Sequence, residues 1–88
     1  VSEEAREHRL RRLEMRANRR GIKEMDIILG RYAGRRLRAM DAPALDLFDA
    51  LLEENDQDLY QWVTGQSAAP ERFAALIGDI TQTACNVK

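Results

Sequence analysis

The sequence predicts an all-α fold, a small antiparallel bundle of five helices, and three observations on this 88-residue chain lead there. Apolar residues recur at helical spacing in five separate segments, no segment alternates with period two over a useful length, and the breaks between segments carry cap and turn residues. Connections of about two to five residues favour antiparallel neighbours. The length suits one domain over residues 1–88, with frayed ends expected at 1–8 and 83–88. A chain of this size buries about 60% of the surface that its unfolded form exposes, enough for a modest core and hardly for a deep catalytic pocket.

The first segment, about Ser2 to Arg19, puts Leu10, Leu13 and Ala17 on one stripe, with Ser2 as cap and Glu3 and Glu4 in the first turn, where acids complement the helix dipole. The stripe is narrow, so much of this helix faces water or a partner. Gly21 then supplies a residue able to turn left-handed just past a helix end. From Ile22 the series Met25, Ile28, Leu29, Tyr32, Ala33 and Leu37 describes a core-facing second helix, which Gly30 and Gly34 weaken or open to a close neighbour. Asp41 caps a third helix, with Pro43 in its first turn, Leu45, Phe48, Leu51 and Leu52 inward, and Asp46, Asp49 and Glu53 outward. Asn55 or Asp56 caps a short fourth helix built on Leu59, Trp62 and Val63 and ended by Gly65. Pro70, at a first helical position, opens the fifth, with Phe73, Leu76, Ile77, Ile80 and Ala84 inward.

With 44% hydrophobic and 33% charged residues the composition is that of a soluble globular protein. No apolar run approaches the roughly 18 residues that span a bilayer, and the start is charged with both signs, unlike a secretory signal or an acid-poor transit peptide. The expectation is an intracellular protein without membrane insertion, in a bacterial cytoplasm or, in a eukaryote, the mitochondrial matrix. One cysteine, Cys85, and one histidine, His8, make no disulfide framework and no zinc ligand set. Cys85 has no activating base in the sequence and reads as a passive thiol, and His8 as a solvated side chain.

Enzymatic patterns are absent: there is no Gly-rich phosphate loop, no His and Glu at metal spacing, and no Gly-x-Ser-x-Gly elbow. The carboxylates Glu53, Glu54, Asp56 and Asp58 cluster at a helix junction, where caps and solvated charge are the ordinary use. No catalytic residue and no metal site are therefore expected.

The net charge of −1 hides an asymmetry, since residues 1–40 carry 12 Lys/Arg against 6 Asp/Glu and residues 41–88 carry 2 against 9, net +6 and −7. The basic run Arg9, Arg11, Arg12, Arg16, Arg19, Arg20 and Lys23 has the charge that a phosphate backbone requires. Glu7, Glu14 and Glu24 interrupt it, however, and no aromatic side chain lies within it to stack on bases. It reads better as a solvated face or one that meets an acidic protein surface. Within it, Arg20-Gly21-x-x-Glu24 has the spacing of helix punctuation. It also sets a bare glycine among ionic groups of both signs, where a partner chain can approach closely.

Arg19-Arg20-Gly21-Ile22-Lys23-Glu24-Met25-Asp26 resembles the Arg-Gly-x-x-Glu signature, with its Asp two positions later, of the small succinate dehydrogenase assembly factors of the SdhE-like family. Leu51-Leu52-Glu53, then Asp56, Asp58-Leu59 and Trp62, resembles that family's second block, and Ala69-Pro70-Glu71-Arg72-Phe73 is similar to its last-helix opening. The blocks keep their order and spacing over roughly residues 9 to 82. The resemblance implies a five-helix protein, itself not an enzyme, that promotes covalent attachment of FAD to the flavoprotein subunit of succinate dehydrogenase and, in some bacteria, of fumarate reductase. The bond joins a histidine of that subunit to the 8α-methyl of the isoalloxazine. The factor would act by holding histidine and flavin in place, a proximity effect with the chemistry left to the partner and its cofactor.

No cofactor of its own is implied, and direct binding of FAD is left open. Carried onto this chain, the resemblance makes Gly21 the close-approach point and Arg20 and Glu24 ionic or hydrogen-bonding contacts, with Arg19, Lys23 and Asp26 secondary. Asp56, Asp58, Leu59 and Trp62 are expected to be structural, and the protein monomeric. A nucleic-acid-binding helical module and a toxin-neutralising partner protein are the rival classes.

Overall fold

The structure is a computed structural model and describes residues 3–85, with side chains from Ala5 to Ala84. The five periodic segments form five helices: α1 Glu3–Asn18, α2 Lys23–Arg36, α3 Ala42–Leu52, α4 Asp56–Thr64 and α5 Glu71–Ile80. A 3-10 turn, Leu37–Ala39, prolongs α2, and a π-helical turn, Thr81–Cys85, prolongs α5. Among the described residues there is no strand, and no helix is long and apolar enough to cross a membrane.

α1 and α2 form an antiparallel hairpin: Asn18 at the end of α1 lies against Gly30, and Glu7 near its start pairs with Arg38. A Cβ on Gly30 would fall 2.2 Å from Asn18 Oδ1, so this glycine gives the end of α1 its seat. α3 runs in the same direction as α1, since Arg9 pairs with Asp46 at 2.7 Å and Arg16 with Asp49 at 2.6 Å and Glu53 at 2.5 Å. The basic first half and the acidic second half are thus laid side by side. Exposed pairs of this kind each contribute under about 1 kcal/mol, and a row of them fixes register more than stability.

Burial follows the apolar spacing. Leu13, Ala17, Met25, Leu29, Phe48, Leu51, Leu59 and Ile80 are all 0% exposed, while Ile28 and Trp62, also expected inside, are half-buried against this core. Trp62 lies 6.2 Å from the Phe73 ring, centroid to centroid, and so joins α4 to α5. Asp41 caps α3 as expected, accepting from the Ala44 amide at 3.0 Å, and Gly65 ends α4 in the left-handed region at φ 81°.

Of the two caps expected for α4, Asn55 is the one that serves, accepting from the Gln57 amide at 2.8 Å. Pro70 is the residue before α5 rather than its first, and its carbonyl accepts from the Phe73 amide at 2.9 Å. Residues 3–8 form the first turns of α1. Arg6 Nη2 donates to the carbonyls of Arg38 at 2.9 Å and Met40 at 3.0 Å, tying the start of α1 to the end of the 3-10 turn. Residues 83–84 are tied likewise, with Arg35 donating to the Thr83 carbonyl, Arg31 to that of Ala84, and Ala84 buried. The Ser2 cap and the Cys85 thiol lie outside the described residues and side chains.

Tyr32, 1% exposed, packs on Phe48 and donates its hydroxyl to Asp79 Oδ2 at 2.7 Å, joining α2 to α5. Burial, and then the Asp79 carboxylate, push the Tyr32 hydroxyl well above the usual tyrosine range. The folded chain therefore keeps this proton where the unfolded chain gives it up. That contribution is intact below the unfolded pKa, about 10, and is lost as the pH rises above it. Denaturation midpoints are expected to fall steeply above about pH 10 in the native chain. Tyr32→Phe should be less stable by about 1–2 kcal/mol at neutral pH and show a flatter alkaline limb.

Candidate functional site

Four residues, Arg19 to Ile22, carry the chain from α1 into α2. Ile22 is the residue before the helix, extended at φ −112° and ψ 127°, with no side-chain cap. Its side chain packs on the core and anchors the entry. Gly21 was expected to be left-handed, but Gly65 is the glycine with positive φ among the described residues. The reversal is made instead by two carboxylates from further along the chain. Asp26 accepts from the Arg20 amide, and Asp56 Oδ2 accepts from the Gly21 amide at 2.8 Å.

Asp56 also receives the Arg20 side chain, through Nε to Oδ1 at 2.6 Å. The rest of the guanidinium is used on backbone: Nη1 donates to the Leu52 carbonyl at 2.6 Å and Nη2 to the Glu54 carbonyl at 2.9 Å. The Leu52 carbonyl ends α3, where acceptors lack helical partners and the helix dipole is negative, and that of Glu54 lies in the turn just beyond. Asp56 sits in the first turn of α4, where the dipole favours an anion. One planar fork thus joins the end of α1, the end of α3 and the start of α4. The Arg20 side chain is 12% exposed and that of Asp56 16%, so the pair is largely withdrawn from water.

The residues singled out from the sequence divide accordingly. The structure brings Arg20, Gly21 and Asp26 together with Asp56, and Arg20 and Asp26 use their polar groups within the chain. Arg19, Gly21, Lys23 and Glu24 are exposed, and Arg19, Lys23 and Glu24 make no ion pair among the described residues. Asp58 is exposed in the first turn of α4, and Leu59 is 0% exposed in the core. Met15, 52% exposed, and Ile27, 48% exposed, are features that sequence reasoning passed over. Both fall off the apolar stripes of their helices, which was the available signal.

Chemically this junction, a knuckle over residues 19–24, offers an exposed glycine backbone, two cations and one carboxylate. Among the described residues no group of three or more His, Cys, Asp or Glu side chains could hold a metal ion. The arrangement suits recognition of a surface.

Comparison with known proteins specifies the lineage. The sequence model of the family described as "Flavinator of succinate dehydrogenase" matches residues 11–84. The chain belongs to this family. Among curated relatives, "Succinate dehydrogenase assembly factor 2, mitochondrial" of Candida glabrata is 45% identical over 65 residues, which is 70% of this chain and 42% of that protein. The proteins of the same name from Mycosarcoma maydis and Schizosaccharomyces pombe are 38% and 35% identical, covering 81% and 82% of this chain and 30% and 52% of their own lengths. The chain thus spans about half or less of the length of these relatives. Both halves of the Arg20–Asp56 clamp and the whole 20–24 segment lie inside the span that matches the family.

Two substitutions separate clamp from surface. Arg20→Lys keeps the charge but cannot reach three acceptors from one planar group, and should lower stability by about 2–4 kcal/mol in chemical denaturation. Gly21→Ala should change stability by less than about 0.5 kcal/mol. Its Cβ would meet Asp56 Oδ2 at 3.5 Å, an ordinary contact, and φ at this glycine is not positive.

Proposed function

We propose that this chain is an assembly factor that docks on the flavoprotein subunit of succinate dehydrogenase and promotes covalent attachment of FAD there. Family membership supports the reading. The observation that carries it is the division at the knuckle, where Arg20 is locked inward and Gly21, Lys23 and Glu24 stand out on a held backbone. A preorganised edge binds without the entropy cost of ordering a loop.

Glu24 and Lys23 set register on the partner, Gly21 admits its backbone, and Arg19 is an auxiliary contact. Arg20 and Asp26 act by positioning. On this reading the chain is not an enzyme, and the flavin bond is made by the partner's own histidine and FAD. The chain carries no FAD of its own and works as a monomer, and the flavoprotein of fumarate reductase is a second client of the same surface. Its compartment is the one in which the flavoprotein is assembled, the mitochondrial matrix or a bacterial cytoplasm. The word "mitochondrial" in the relatives' names supports the former.

This reading is favoured over nucleic-acid binding because Arg9, Arg16 and Arg20 are already neutralised by carboxylates of α3 and α4. The test is covalent flavin fluorescence of the flavoprotein subunit on a denaturing gel after incubation with FAD and this protein. The native chain should raise the signal. Glu24→Ala and Gly21→Arg should each lower the rate at least about 10-fold, the scale of losing one docking contact, with unchanged helical circular dichroism. An unchanged signal with the native chain, in a flavoprotein competent for the reaction, would overturn the proposal.

A further inference from the structure

Once its internal ion pairs are drawn, α1 keeps a second positive surface beside the knuckle. Arg9 and Arg16 face α3 and are paired, whereas Arg12 and Arg19 are exposed and make no ion pair among the described residues. Arg12 lies on α1 and Arg19 is the first residue beyond it, and both line the same groove as Met15. Met15 stands between them, 52% exposed, the larger of the two exposures recorded for big apolar side chains. Opposite, across a groove of about 470 Å³, lies the end of α3, with Leu52 and with Glu53 held by Arg16.

We infer that this groove between α1 and α3 binds an acidic segment of the partner flavoprotein, with two carboxylates of that segment on Arg12 and Arg19 and an apolar side chain against Met15. The inference rests on the functional reading above and adds the surface that gives it electrostatic steering. Charge complementarity selects the occupant. Two uncompensated guanidinium groups flanking an apolar contact match an acid–apolar–acid pattern on one face of a protein segment. A small free dianion gains nothing from the thioether of Met15. Methionine is also adaptable, since its unbranched side chain repacks against whatever apolar surface is offered. Arg19 adjoins Arg20, so groove and knuckle form one continuous surface.

Affinity of this protein for the purified flavoprotein subunit, measured by calorimetry at low and at high salt, provides the test. The double variant Arg12→Glu/Arg19→Glu should bind at least about 10-fold more weakly at low salt and lose most of the salt dependence. Arg12→Gln/Arg19→Gln should fall between, and Met15→Ser should weaken binding several-fold at both salts. All three positions are exposed, and unchanged denaturation midpoints would verify folding. If the native chain binds and these variants bind equally well while Glu24→Ala does not, the groove proposal fails and the knuckle reading stands. If the native chain shows no binding at all, both fail. Saturable binding of succinate alone, or self-association of the native chain abolished by the same charge reversals, would also overturn the assignment to an acidic partner segment.

Discussion

The guanidinium of Arg20 is the interaction on which the arrangement of the other parts depends. It lies on Asp56 and on two carbonyls at and just beyond the end of α3, and so closes a junction where three helix ends meet. Each of these ends has polar backbone groups without helical partners, and leaving such groups unpaired out of water is costly. Here they answer one another: cation to carbonyl, carboxylate to amide. The Gly21 amide is held by the second oxygen of the same Asp56, so the exposed edge of the knuckle inherits its geometry from the buried pair beneath it.

This places structure and recognition on adjacent residues. An arginine that reads as a surface contact is turned inward, and its neighbours on both sides point outward. The same division runs along α1 and just past it, where Arg9 and Arg16 bind the acids of α3 while Arg12 and Arg19 make no ion pair among the described residues. Part of the contrast between a basic first half and an acidic second half is therefore a folding device, since Arg9 and Arg16 set α1 against α3 in register and Arg20 meets the start of α4. Of the cations without an ion pair among the described residues, Arg12, Arg19 and Lys23 lie at the groove and the knuckle, where they can serve docking.

Most of the fold was legible because it rests on local rules. Helical spacing located all five helices, and Leu13, Met25, Leu29, Phe48, Leu51 and Ile80 are buried as their positions require. The Asp41 cap and the Gly65 stop were equally readable, since each depends on its own neighbours. Features that needed a distant partner were not. Gly21 reads as a left-handed cap until Asp56, 35 positions on, is seen to hold its amide. Arg20 reads as a free contact for the same reason. The partners of Arg6, the carbonyls of Arg38 and Met40, lie across the hairpin and were likewise out of reach of local rules. Asp56 was recognised as structural, though as a cap, and its pairing with Arg20 could have been suspected from an acid and a base recurring in two blocks at fixed separation.

Amide hydrogen exchange across residues 19–24 of the isolated protein tests the central claim most directly. The account predicts slow exchange at Arg20 and Gly21, whose amides donate to Asp26 and Asp56, and fast exchange at Ile22 and Lys23, which have no such acceptor among the described residues. Replacing Asp56 by Ala should release Gly21. Uniformly fast exchange from Arg19 to Glu24 in the native chain would contradict the account, because the edge would then be unformed until a partner shaped it.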